Sequence, residues 1–177
     1  MNIPSKLWSK QKKEGHTDIP VKLSGKNEIS IFSELSQKQI SFLYKLAPIK
    51  KLEEDQILIK EGDKNQTFYL VLDGEIRIIK DFQGRDSVLG TVGRGSLLGE
   101  ISFTRKIPRT ASAVASKPST VMVMEKTTFS ALDKNMQLVF LRQMNELSSK
   151  RIQELETREM RLSSQNHQLM AHLFNTR

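Results

Sequence analysis

A mainly β domain, built as a barrel or roll and flanked by helices, is the fold class this sequence predicts. Three observations carry that expectation. From residue 49 to about 126, short apolar runs alternate with glycine-bearing bends. Residues 29–47 show helical apolar spacing instead. Beyond Thr127 the chain contains neither proline nor glycine.

The elements follow in chain order. Residues 1–28 read as a basic arm. Lysines at 6, 10, 12, 13, 22 and 26 outnumber Glu14, Asp18 and Glu28, and few apolar residues are present to offset the entropy of ordering. Trp8 is the one large apolar group there and is expected to dock on something. In 29–47, Ile31, Phe32, Leu35, Ile40, Phe42, Leu43 and Leu46 form an amphipathic stripe with a break near Ser36, and Pro48 ends the helix. Strands are expected at Gln56–Lys60, Thr67–Leu72, Glu75–Lys80, Ser87–Val92, Ala111–Ala115 and Thr120–Glu125. Asp73-Gly74 carries the composition of a hairpin turn, and Phe82 to Asp86 reads as a second turn. Phe129, Leu132 and Met136 suggest one short helix, with a cap for the next near Asn135. The remaining residues, to about Phe174, predict a long helix.

A heptad count along that helix puts Leu138, Leu141, Asn145, Ser148, Ile152, Leu155, Glu159, Leu162, Asn166, Leu169 and Leu173 on one seam. Its polar members would weaken a dimer while fixing its register. Packing of the first half on the β domain explains the pattern equally well. Three segments are therefore expected: the arm at 1–28, the β domain with its leading helix at 29–133, and the long helix at 134–177.

The chain has 177 residues, no cysteine and a formal charge of +8. Without cysteine there is neither a disulfide framework nor a thiolate metal site. His16, His167 and His172 have no neighbours at ligand spacing, so no metal is expected. The first residues lack the apolar run of a secretory signal, and no stretch is apolar enough to span a bilayer. A cytoplasmic protein without membrane association is the expectation. The positive charge raises the prior for an anionic partner but is spread along the chain rather than on one face.

Chemistry concentrates in Gly95 to Ala111. Gly99 allows a tight bend or the close approach of a ligand. Ile101–Arg105 is long enough for one helical turn, whose free N–H groups would favour an anion beside Gly99 and Glu100. Arg109, stiffened by Pro108, can grip a phosphate through two parallel hydrogen bonds. Glu100 suits hydroxyl groups, not phosphate. A ligand carrying both a phosphate and a sugar satisfies both residues.

Leu98-Gly99-Glu100-Ile101-Ser102 followed by Pro108-Arg109-Thr110-Ala111 resembles the phosphate-binding cassette of the cyclic nucleotide-binding domain family. The likeness extends over about residues 30–160 and includes the Glu61-Gly62 bend and Leu72-Asp73-Gly74-Glu75. The resemblance implies an eight-stranded, jelly-roll-like β-roll (a double-stranded β-helix) with an N-terminal helix and a long C-terminal helix. It implies that Glu100 accepts from the ribose 2′-hydroxyl. Arg109 and the backbone of Gly99, Ile101 and Ser102 would hold the cyclic phosphate, with the Thr110 hydroxyl beside them. Ile78, Leu89 and Gly90 correspond to positions lining the base. Ile152, Leu155 and Glu154 are the candidates for a lid from the long helix.

The expected function is a cAMP receptor, with cGMP as second choice, that is regulatory and not an enzyme and needs no cofactor. Cysteine nucleophile, Gly-x-Ser-x-Gly elbow and Walker-type loop are all missing. Ligand binding would rearrange the C-terminal helix and drive homodimer or effector association. No helix-turn-helix follows, so DNA is not the expected output. Two rivals remain: a degenerate roll acting as a protein-interaction adaptor, and a nucleic-acid binder using the basic arm.

Overall fold

The computed structural model describes residues 29–175. The expected basic arm and Trp8 lie outside the described residues. Two helices open the fold, α1 (Ser30–Ser33) and α2 (Gln37–Leu46). The break expected near Ser36 is a helix start. Ser36 Oγ accepts from the Gln39 amide at 3.3 Å, and Gln39 Oε1 accepts from the Ser36 amide at 3.0 Å, closing a capping box.

One sheet of six strands follows: β1 (Ile49–Leu52), β2 (Ile57–Ile59), β3 (Phe68–Phe82), β4 (Arg85–Gly93), β5 (Leu97–Leu98) and β6 (Ser112–Met124). All pairings are antiparallel, in the order β1-β6-β3-β4, with β2 also on β6 and β5 also on β3. The core gathers buried apolar side chains from every one of these strands except β4, among them Leu52, Leu58, Val71, Ile76, Leu98, Ala115 and Val121, and β4 adds the partly buried Val92.

Eight strands were expected, and the described residues form six. The expected pairs Thr67–Leu72 with Glu75–Lys80, and Ala111–Ala115 with Thr120–Glu125, are each one long strand. Asp73-Gly74 does not turn the chain back. It is absorbed as an irregularity in β3, with the register to β6 shifting on both sides of it. The local turn preference loses because both flanks pair with the same distant strand. Ser119 of β6, itself buried, fills the gap: its hydroxyl accepts from the Glu75 amide at 3.0 Å and donates to the Lys117 carbonyl at 2.7 Å. The hairpin turn that does form is Gln83–Gly84, both in the left-handed region, which matches a type I′ connection between β3 and β4.

Gly74 has φ +94°, and a Cβ there would come within 2.2 Å of Ser119 Oγ and 2.5 Å of Ser119 Cα. Gly74→Ala is therefore expected to cost about 2 kcal/mol or more, lowering Tm by roughly 4–8 °C. Gly90→Ala, where nothing lies within 4 Å of the built Cβ, should leave Tm unchanged or raise it. Thermal denaturation of both variants measures the difference.

After the roll come α4 (Lys126–Ser130) and α5 (Lys134–Asn175). Met136 belongs to α5, not to the short helix. The cap expected near Asn135 is Asp133, whose Oδ1 accepts from the Met136 amide at 2.9 Å. Asp133 Oδ2 takes a hydrogen bond from Gln39 Nε2 at 3.0 Å, tying α2 to the start of α5. These two bonds, Gln39 first, hold the Asp133 carboxyl below its ordinary range. The expected long helix is one continuous run of 42 residues. The chain divides into two compact units after Val139, the second consisting of the remainder of α5. Among the described residues no helix is long and apolar enough to cross a membrane.

Candidate functional site

β5 and its sequel set up the site. Leu97 and Leu98 are both buried and pair with Leu70 and Tyr69 of β3. The chain then turns at Gly99, φ +80°, into α3 (Glu100–Arg105). No other residue fits at position 99. A Cβ there would lie 2.2 Å from Arg109 Nη1 and 3.0 Å from the Thr67 carbonyl oxygen. Gly99 thus serves both a left-handed backbone and the passage of the arginine.

Within α3, the Thr104 hydroxyl donates to the Glu100 carbonyl at 2.8 Å. The helix stops at Lys106, which adopts the left-handed conformation while its amide donates to the Ser102 carbonyl at 3.0 Å. Ser102, almost fully buried, donates through Oγ to the Pro108 carbonyl at 3.3 Å. That bond holds the short connection between α3 and Arg109. The first-turn amides of a helix, here those of Ile101 and Ser102, have no acceptor within the helix itself.

Arg109 is only 4% exposed and Glu100 only 3%. Two charged residues buried on one short segment need compensation. Arg109 finds much of it in main-chain carbonyls. Nη1 donates to the Gly99 carbonyl at 3.1 Å, and Nη2 donates to the Thr67 carbonyl and to Asn65 Oδ1, the latter at 3.4 Å. Its backbone is fixed as well, with the amide on the Asp63 carbonyl at 2.8 Å and the carbonyl taking the Gly62 amide at 2.9 Å. Burial pulls the guanidinium below its ordinary pKa, and the field of Tyr69, Asp63 and Glu100 opposes that shift. An arginine so placed stays charged at neutral pH.

Thr110 is exposed, and its carbonyl accepts from Lys80 Nζ at 2.7 Å. Lys80 also bonds Glu61 Oε1 at 2.9 Å, while Glu61 Oε2 accepts from the Asp81 amide at 3.0 Å. The Lys80 hydrogen bond, then the Asp81 amide, hold the Glu61 carboxyl below its ordinary range. β3 is in this way clamped to the segment that carries Arg109 and leads into β6.

The remaining expected positions divide. Ile78 is half-buried and packs on the core cluster. It pairs with Gly90, and Ile79 with Val88, so Leu89 is the extra residue of a bulge in β4. Leu89 is 52% exposed and Gly90 lies open. Ile152 and Leu155 are exposed residues of the second unit. The structure therefore buries Glu100, Ser102 and Arg109 on one short segment, with the half-buried Gly99 against the Arg109 guanidinium.

The sequence reading missed Asn65, Thr67, Asp63 and Lys80. Three of these act on the Arg109 segment through backbone carbonyls or bind a carbonyl, and a carbonyl carries no side-chain signature. Asn65 did offer a signal. Its Oδ1 accepts from the Thr67 amide at 2.7 Å, an Asx turn that starts three residues ahead of β3.

Chemically, the cluster offers a fixed planar cation and helix-start amides for an anion, and a buried carboxylate for a hydroxyl donor. Residues 49–135 match the family model described as the cyclic nucleotide-binding domain. A cyclic nucleotide-binding domain from Methylobacillus flagellatus is 25% identical with a TM-score of 0.65, covering 73% of this chain and 83% of that one. The regulatory domain of Toxoplasma gondii protein kinase A in complex with cAMP is 28% identical with a TM-score of 0.53, covering 61% of this chain and 41% of that one. A cGMP-dependent protein kinase of the same organism is 30% identical over 63% of this chain, which spans only 11% of that kinase's length.

Proposed function

We propose, for a chain whose residues 49–135 belong to the cyclic nucleotide-binding domain family, that the roll is the sensing part of a regulatory receptor for a cyclic nucleotide. The observation that carries this reading is the joint burial of Glu100 and Arg109 around a glycine with no room for a side chain. Arg109 and the amides of Ile101 and Ser102 would take the cyclic phosphate. Glu100 would take the ribose 2′-hydroxyl, and the Thr110 hydroxyl would reach a phosphate oxygen. Ile78, Leu89 and Gly90 would border the base, with Ile152 and Leu155 as lid candidates. The similar Toxoplasma domain bound to cAMP favours adenine; the similar cGMP-dependent kinase keeps guanine in play.

Binding would act on the rest of the molecule through α3. Phe103 of α3 stacks edge-to-face on Phe68 of β3 at 4.7 Å and on Phe129 of α4 at 5.2 Å. A ligand that draws α3 inward must move those rings, and it shifts the helices only as far as it prefers one arrangement over the other.

One observation favours a rival reading. The guanidinium already has carbonyl and amide partners, so Arg109 would hold an empty adaptor roll together equally well. Calorimetry with cAMP and cGMP separates the two. Saturable binding of at least one nucleotide at micromolar affinity or tighter is the expected result. Neither heat nor thermal stabilisation at millimolar concentrations of both would overturn the receptor.

A further inference from the structure

We propose that Lys80, steadied by Glu61, is a positioning residue of the nucleotide site. By holding the Thr110 carbonyl it fixes where the Thr110 hydroxyl meets the cyclic phosphate. This deepens the receptor reading and rests on it.

The ladder between β3 and β6 ends at the pair Ile79–Ser112. Thr110 and Ala111 form a bend outside any strand. At that point main-chain pairing gives way to a side chain. Lys80, one residue past the last rung, donates from Nζ to the Thr110 carbonyl at 2.7 Å. Glu61 aims the ammonium: its Oε1 accepts from Nζ at 2.9 Å, and its Oε2 accepts from the Asp81 amide at 3.0 Å. Glu61 is itself tied to the start of β6, its amide donating to Ser112 Oγ at 3.0 Å.

Peptide geometry turns these bonds into placement. A peptide unit is planar, so only φ and ψ of Thr110 relate the two planes on either side of its Cα. The plane before Thr110 contains the Arg109 carbonyl, which accepts from the Gly62 amide at 2.9 Å. The plane after it contains the Thr110 carbonyl, which Lys80 holds. With both planes anchored, both dihedrals are set, and with them the direction of the Thr110 Cα–Cβ bond. The β-branched side chain adds little rotamer freedom of its own. Its hydroxyl is thereby delivered on the flank of Arg109.

Stability alone does not account for the arrangement. The Lys80 and Glu61 side chains are 33% and 29% exposed, and an ion pair that open adds little to folding. Thr110 is exposed as well, so water would satisfy its carbonyl. What water would not supply is a fixed direction.

The test reads the phosphate oxygens one at a time. Lys80→Met, Lys80→Arg and Glu61→Gln are made in the full chain. Each is titrated calorimetrically with the nucleotide the parent prefers and with its Rp and Sp phosphorothioates, in which sulfur replaces one or the other exocyclic oxygen. Lys80→Met should fall in Tm by less than about 4 °C yet bind the nucleotide about fivefold more weakly. Its ratio of Rp to Sp affinity should move toward unity by about threefold or more, because a misplaced hydroxyl no longer tells one oxygen from the other. Lys80→Arg keeps a cationic donor and should restore most of both values. Glu61→Gln should move the ratio in the same direction by less. In a Thr110→Val background, Lys80→Met should no longer move the ratio at all. An unchanged ratio in Lys80→Met overturns the proposal, whether affinity is kept or falls equally for both isomers, since a plain structural tie weakens them together. A shift that persists without the Thr110 hydroxyl overturns it too. A parent chain that binds neither nucleotide removes the receptor and this inference with it. A binding parent whose variants keep the ratio removes this inference alone.

Discussion

Arg109→Ala should weaken cyclic nucleotide binding by two to three orders of magnitude. Truncating one partner of a buried, hydrogen-bonded charge pair costs about 2–5 kcal/mol, and each 1.4 kcal/mol is tenfold in Kd. The arginine is held ready for its ligand by the carbonyls of Gly99 and Thr67 and by Asn65, so little ordering entropy opposes binding in the intact protein. The same bonds mean that alanine also strips partners from two carbonyls, a stability loss of about 1–3 kcal/mol for each one left dry. The two effects separate in a thermal titration. The parent protein should gain about 2.7 kcal/mol of stability at a hundredfold excess of ligand over Kd. The alanine variant should melt lower and gain no more than about 0.4 kcal/mol over the same ligand range. Arg109→Lys keeps the charge but loses the fork, so its affinity should fall between the two. An alanine variant that folds and binds with parental Kd would show that Arg109 is an internal strut only.

The second large effect belongs to Phe68. It is fully buried at the start of β3 and meets Phe103 at 4.7 Å and Phe129 at 5.9 Å, while those two meet each other at 5.2 Å. All three contacts are edge-to-face, the geometry the ring quadrupole favours. Phe68→Ala should cost about 3–5 kcal/mol from lost transfer and the cavity left behind. At roughly 2–4 °C per kcal/mol that is a fall in Tm of about 6–20 °C. Phe68→Leu keeps most of the apolar volume and should fall by clearly less. A Phe68→Ala protein melting within a degree or two of the parent would mean that the three rings do not form the joint between β3, α3 and α4.

What the sequence revealed and what it concealed divide by range. Ser36 with Gln39 three residues on is a local signature, and the helix break appeared where it pointed. The 42-residue α5 announced itself through the lack of proline and glycine. Glu100 and Arg109 were legible because their side-chain chemistry has few other uses on one short segment. Asp73-Gly74 misled because the deciding partner, Ser119, lies 45 residues away in β6, and a single sequence does not display pairing. The carbonyls that seat Arg109 were hidden for a related reason. Main-chain acceptors are the same at every residue, so only the fold selects Thr67 and Gly99 among them. The cap of α5 was legible only to within a few residues of Asn135, because Asn and Asp both suit the role and only the fold places Asp133 beside Gln39.

The connectivity of the sheet also dictates an order of assembly. β1, β2 and β3 all pair with β6, the last strand to be synthesised. A growing chain can close the β3–β4 hairpin early, because Gln83–Gly84 is a local turn. β1, β2 and the second edge of β3 must wait for residues 112–124 to leave the ribosome, holding open edges meanwhile. Truncations that end before Ser112 therefore leave strand edges bare and invite aggregation, whereas those that keep β6 preserve every pairing in the sheet.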